Sequence, residues 1–259
     1  MAKRKHQTEQ NRRRGSATGD RQSERWLYGT HPVLAALSNP ARQCRRLLWT
    51  KEAASRLGER LPASALTPEL VERGTIERLL GAGAVHQGLA LQTDPLPEMT
   101  LTEMCGGIAP DGRAVVLVLD QVTDPRNVGA ALRAAAAFGA RAVVVTERNA
   151  PPAGGVLAKA AAGALESVPV IRAKNLARAL AELKKNGFWC LGLDADAETA
   201  LGEIDVGGRL ALILGAEGAG LRRLTSEACD MLVRIPTAGA MSSLNVAAAA
   251  AVALYALTQ

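Results

Sequence analysis

The residues of this chain whose types and spacing could do chemistry sit in polar loops that each follow a short apolar run. DPRNVGAALRAAAAFG comes after VVLVLDQVT and carries Asn127 and Arg133; GAEGAGL comes after LALIL and carries Gly215 and Glu217. IPTAGAMSSLN comes just beyond MLVR and carries Ser243 and Asn245, with the Ala-rich run VAAAAAVALYAL behind it. In each case a β-rich segment stops abruptly at Gly, Asn, Asp, Pro or Ser, and twice a helix candidate follows at once. Proteins of the α/β class place their ligand sites at such junctions.

Arg133 is the only charged residue from Val128 to Gly139. Set among alanines that allow close packing, its guanidinium either finds a polar partner or snorkels to solvent. A guanidinium offers donors and no acceptor, so its natural work is to orient a hydroxyl and stabilise a developing oxyanion rather than to take a proton. Asn127 opens the same helix, where it could serve as its N-cap. Glu217 could hold Arg133, accept a proton or be a plain surface residue. Ser242, Ser243 and Asn245 are all candidate caps for the last helix. The glycines of GAEGAG either let backbone approach a nucleoside closely or make tight turns. Their GxxGxG spacing, with no acid following at the end of a later strand, does not fit the dinucleotide fingerprint. His31 and His86 have no acid or nucleophile beside them in sequence and are assigned to structure or to contact with a substrate.

These loops need a scaffold, and the patterning predicts one. At 259 residues with 48% apolar side chains, the chain can bury one large core and a smaller one. With only 3% aromatics, packing falls to Ala, Val and Leu on helices and parallel strands. From Ala114 onward AVVLVLD, RAVVVT, VPVIRA, FWCLGLDA, RLALILG and MLVRIP alternate with helical stretches, which predicts an α/β domain over 114–259 with a mainly parallel sheet covered on both faces. Residues 26–93 form a smaller α/β block with a helix near Glu69 to Leu79 and a closing strand in AVHQGLALQT. The Pro- and Gly-rich stretch 94–113 is expected to be a linker with one helical turn near Thr102.

Residues 1–25 hold Lys3, Arg4, Lys5, Arg12, Arg13, Arg14, Arg21 and Arg25 against Glu9, Asp20 and Glu24, which concentrates most of the chain's net charge of +6 in its first tenth. This predicts a disordered basic arm whose partner is a phosphate backbone or, failing that, a solubilising tail. No apolar run is long enough to span a bilayer. Cys44, Cys105, Cys190 and Cys229 are too scattered for a disulfide framework or a zinc site, so a reducing, cytoplasmic setting and no metal are expected.

DPRNVGAALRAAAAFG, LILGAEGAGL and IPTAGAMSSLNVAAAAA, in that order and spacing, resemble the signature motifs of the SpoU/TrmH family of ribose 2′-O-methyltransferases in the SPOUT superfamily. YGTHPVLAAL and AVHQGLAL resemble the start and end of that family's N-terminal RNA-binding domain, so the likeness covers residues 26–259. It is strongest to the bacterial enzymes that methylate a guanosine ribose of 23S ribosomal RNA. The resemblance implies S-adenosylmethionine as cofactor, held by Gly215, Ile235 and Leu244, with Arg133, Asn127, Glu217, Ser243 and Asn245 as catalytic positions. It also implies a homodimer and a deep trefoil knot within about 210–257. Transfer RNA as substrate, and a non-catalytic ribosome-assembly factor on the same fold, are the competing readings.

Overall fold

The structure, a computed structural model, describes residues 25–62, 66–81, 83–204, 207–238 and 244–258. The basic arm up to residue 24 and Ser243 lie outside the described residues. The chain divides into two compact units, Met1–Leu96 with Pro152–Lys159, and Pro97–Pro151 with Ala160–Gln259.

In the first unit the chain runs β1 (Trp26–Tyr28), α1 (Thr30–Ser38), β2 (Cys44–Trp49), α2 (Lys51–Leu57), β3 (Glu69–Leu70), α3 (Arg73–Leu80) and β4 (Leu89–Thr93). Its sheet has the order β1-β4-β2-β3, with β2 antiparallel to β4 and parallel to β3. Trp26, Leu48, Ile76 and Ala90 form one buried cluster. The helix expected from Glu69 begins only at Arg73, because Glu69 and Leu70 pair with Leu48 and Trp49 and the Glu69 carboxylate takes two hydrogen bonds from Arg46, at 2.6 and 2.7 Å. Sheet pairing overrides local helical pattern there. AVHQG is likewise a turn rather than strand, with Gln87 and Gly88 in the left-handed region at φ 55° and 78°. His86 belongs to the fabric of this turn: fully buried, it accepts the Gly88 N–H at Nδ1, and burial pushes its imidazole below the usual range. His31 is exposed.

Elements of the rest of the chain are α4 (Leu101–Gly106), β5 (Ala114–Leu119), α5 (Pro125–Ala137), β6 (Ala142–Thr146), α6 (Gly155–Ala161), β7 (Val170–Ala173), α7 (Leu176–Lys185), β8 (Phe188–Leu193), β9 (Arg209–Leu214), α8 (Arg223–Glu227), β10 (Met231–Val233) and α9 (Val246–Thr258). The six strands β5 to β10 form one sheet in the order β10-β8-β9-β5-β6-β7, and every pairing is parallel. From β5 the chain moves outward through β6 and β7. It then crosses to build β8, inserts β9 between β8 and β5, and finishes at the far edge with β10. Connections therefore leave the adjacent strands β5 and β9 in opposite directions, which opens a crevice at their carboxyl ends.

The stretch expected to be a linker contributes to the second unit's core. Thr100 and Glu103 form a reciprocal capping box for α4, and Leu101, Met104 and Cys105 are buried in the same cluster as Leu180 and Leu183 of α7. Apolar residues three and four apart make that helix amphipathic in spite of the surrounding prolines and glycines. In α7 the same spacing puts Leu176, Ala179, Leu180 and Leu183 on the core face, while Lys184 and Lys185 complement the helix's carboxyl end. Leu183 is fully buried, so Leu183→Ala should destabilise the protein by about 2–5 kcal/mol. Urea unfolding followed by circular dichroism measures this directly.

Candidate active site

Asp124 accepts the Arg126 N–H at 2.8 Å and Pro125 occupies the first turn, so α5 starts sharply just beyond β5. This delivers Asn127 to the crevice on the helix's amino-terminal turn. On the neighbouring strand, β9 ends at Leu214 and the loop 215–221 doubles back on itself. Ala216 pairs with Gly220, and the Gly220 N–H donates to the Ala216 carbonyl at 2.9 Å. A Cβ on Gly215 would lie 2.0 Å from the Gly220 carbonyl carbon, so only glycine permits this closure. Gly215 is thus required by the close approach of the loop to itself, while Gly218 and Gly220 turn the chain at φ 76° and 65°.

At the tip of that loop, Glu217 Oε1 accepts from Asn127 Nδ2 at 3.0 Å, from Asn245 Nδ2 at 2.5 Å and from the Val246 N–H at 3.4 Å. Asn245 Nδ2 also donates to Asn127 Oδ1 at 3.1 Å, while Asn245 Oδ1 accepts the Ala247 and Ala248 N–H groups and so caps α9. The carboxamide orientations follow from this network: a carboxylate only accepts, so both Nδ2 groups must face it. Two helix amino-termini, those of α5 and α9, converge on one carboxylate, an arrangement the helix dipoles favour.

The structure thus joins Asn127, Glu217 and Asn245, which the sequence singles out from all the motif loops. It does not join Arg133 to them. Glu217 holds the two asparagines rather than Arg133, a correction with a simple cause: six residues along a helix is about 240° of rotation from Asn127, so Arg133 points to another face. There it is exposed, without a hydrogen bond or ion pair among the described residues. Ile235, just beyond β10, is half-buried, and Leu244, beside Asn245, keeps 41% of its surface exposed.

Sequence reasoning missed a further pair. Asp120, directly after β5, is completely buried; its Oδ1 accepts the Arg222 Nε–H at 2.8 Å and lies 2.7 Å from Nη2 in an ion pair, while Oδ2 accepts the Arg222 N–H at 3.2 Å. The available signal was an acid placed directly at the end of an apolar strand. The cysteines are free thiols, and burial pushes Cys190 up to about 12 and Cys229 up to about 11, so neither offers a thiolate near neutral pH.

Residues 114–255 match the SpoU rRNA Methylase family, more than half of the chain, and residues 26–99 match the RNA 2′-O ribose methyltransferase substrate-binding family. The chain belongs to the SpoU rRNA methylase family. A relative from Xylella fastidiosa, named 23S rRNA (guanosine-2′-O-)-methyltransferase RlmB, is 39% identical over 236 residues, covering 89% of this chain and 94% of its own. A solved RNA 2′-O ribose methyltransferase shares 27% identity with a TM-score of 0.75, covering 92% of this chain and 88% of that one. A structure described for 2-OH methylation of C/U34 on tRNA aligns at 27% identity and a TM-score of 0.51, covering 94% of its own chain but 57% of this one.

Within this SpoU site the loop 215–221 tolerates no side chain at its first position. Gly215→Ala should open the loop and break the Glu217 cluster while leaving the sheet intact. The expected result is faster amide hydrogen exchange in residues 216–221 and at the start of α9, with unchanged protection in β5 and β9.

Proposed function

We propose that this SpoU-family protein transfers a methyl group from S-adenosylmethionine to the 2′-hydroxyl of a guanosine ribose in 23S ribosomal RNA. The carrying observation is that Asn127, Glu217 and Asn245, brought from loops far apart in sequence, meet through hydrogen bonds at the crevice where α/β folds bind nucleosides. Likeness to the RlmB enzymes over nearly the whole chain supports the ribosomal substrate. The alignment named for tRNA spans little more than half of this chain, and a separate substrate-binding match covers residues 26–99. Both favour ribosomal over transfer RNA, with residues 26–93 as the RNA-binding domain and 114–259 as the catalytic one. A retired enzyme serving only as an assembly factor would have no reason to keep the asparagines and the glutamate in register. Ribosomal RNA as substrate implies a cytoplasmic enzyme.

The residues at hand suit a nucleoside cofactor. Loop 215–221 presents backbone rather than bulky side chains, and Ile235 and Leu244 supply apolar surface at the two ends of the third motif. Gly215, Ile235 and Leu244 would hold S-adenosylmethionine, which supplies the electrophilic methyl when bound. Glu217 fixes the Asn127 and Asn245 carboxamides; with Oε1 already accepting three donors, it acts as a structural acceptor more than as the proton acceptor. Ser243, from its place in the third motif, belongs with this group. Arg133 orients the ribose hydroxyl and stabilises the oxyanion as the proton leaves.

A homodimer gives Arg133 the setting its own chain lacks. Arg126, Ala130, Arg133 and Ala137 line the open face of α5, and α9, packed beside it, exposes Val252 and Tyr255 to 45% and 56%. Alanines together with the exposed Val252 and Tyr255, set around the Arg133 guanidinium, suit burial against a second copy. We further propose that the segment 210–257 forms the trefoil knot of the SPOUT fold.

Calorimetry should detect S-adenosylmethionine binding to the isolated protein, and Arg133→Ala should retain that binding but lose methyl transfer in single-turnover assays. Arg133→Lys should rescue little, because a compact ammonium does not reproduce a planar donor array. A wild-type rate in Arg133→Ala would overturn the assignment. Separately, deleting residues 1–25 should weaken RNA affinity and flatten its dependence on salt, since fewer counterions are released, with cofactor affinity unchanged.

A further inference from the structure

Asp120 is engaged at both ends of the loop that carries Gly215 and Glu217. Its backbone N–H donates to the carbonyl of Leu214 at 2.7 Å, the residue immediately before the loop. Its carboxylate receives both the backbone N–H and the guanidinium of Arg222, the residue immediately after it. One residue on β5 therefore pins positions 214 and 222, and the seven residues between them close on themselves through Ala216 and Gly220.

The burial is unequal in an informative way. Asp120 is completely inaccessible, whereas the Arg222 side chain keeps 52% of its surface. A buried carboxylate needs compensation by charge and hydrogen bonds. Among the described residues that compensation comes from Arg222, and the chain must place this residue over Asp120 for the loop to fold. Leu221 packs against the core cluster and anchors the same end of the loop. An apolar contact of that kind has no preferred direction, whereas hydrogen bonds from the Arg222 Nε–H and its backbone amide, with the Nη2 ion pair beside them, fix where the loop ends.

We propose that Asp120 and Arg222 are positioning residues of the methyl-transfer site: together they clamp the base of loop 215–221, so that the cofactor meets a preformed loop and Glu217 is held in reach of Asn127 and Asn245. Neither residue contacts the reacting atoms. The inference rests on the proposed cofactor role of this loop for its catalytic consequence, but the clamp itself is a property of the free protein. Losing it costs cofactor affinity more than the rate at saturation, because a bound cofactor can reorder the loop and repay the lost anchoring from its binding energy.

Hydrogen exchange and calorimetry on Asp120→Asn, Arg222→Ala and Arg222→Lys, with Leu183→Ala as a control that lowers stability from the core, separate this role from a general stabilising one. Asp120→Asn and Arg222→Ala should each speed exchange of the 216–222 amides at least tenfold and weaken S-adenosylmethionine binding at least tenfold. The single-turnover rate at saturating cofactor and RNA should fall less than threefold. Arg222→Lys, which keeps the charge but not the two-nitrogen contact, should lie between these variants and wild type. Loop exchange equal to wild type in Arg222→Ala would overturn the proposal, as would a matching loss of cofactor affinity in Leu183→Ala. Should Asp120→Asn not fold, the two Arg222 variants decide by themselves. If the wild-type protein binds no S-adenosylmethionine, the functional assignment fails, while the exchange data still test the clamp.

Discussion

Oε1 of Glu217 is where the separate pieces of this protein become one site. Asn127 arrives on the first turn of α5, Asn245 on the cap of α9, and the carboxylate itself on the tip of a glycine-rich loop. A carboxylate oxygen can only accept, and it accepts here from two carboxamides and a main-chain amide. That chemistry sets which way each asparagine faces, which helix ends approach and how close the loops must come. Moving any one of the three loops breaks this shared set of hydrogen bonds.

The meeting is possible because of where β9 lies. Inserted between β5 and β8, it places its carboxyl end next to that of β5, and the chain leaves the two strands in opposite directions. The crevice so formed has Asp120 directly after one strand and Gly215 directly after the other. Continuous parallel pairing from Ala114 to Leu119 against Arg209 to Leu214 makes the floor rigid, and the buried Asp120 carboxylate extends that rigidity into the loop. Rigid support of this sort lets small polar side chains act with defined geometry. Arg133 stands apart, on a face of α5 that the fold leaves open beside apolar α9.

Much of this was legible in the residues. Apolar runs of β-branched and aliphatic residues marked every strand of the parallel sheet, and abrupt Gly, Asn, Asp and Ser breaks marked the loops, because strand burial and turn chemistry are both local. Failures occurred where a distant partner overruled local pattern. Glu69 and Leu70 look helical but pair with β2; AVHQG looks extended but turns at Gln87 and Gly88; the stretch around Thr100 looks like a linker with one helical turn, yet the apolar face of that helix joins the core.

By itself the sequence determined the α/β class, the alternation of elements and the identity of Asn127, Glu217 and Asn245 as chemical candidates, since patterning and residue type are written along the chain. Only the tertiary structure decided what those side chains do to one another. It gave Glu217 to the asparagines instead of to Arg133, and it sent Arg133 to the outer face. It also revealed Asp120 and Arg222 as a buried pair across 102 positions of sequence. The reason is physical: a hydrogen bond depends on distance and direction in space, and the order of strands that sets both is a property of the folded sheet.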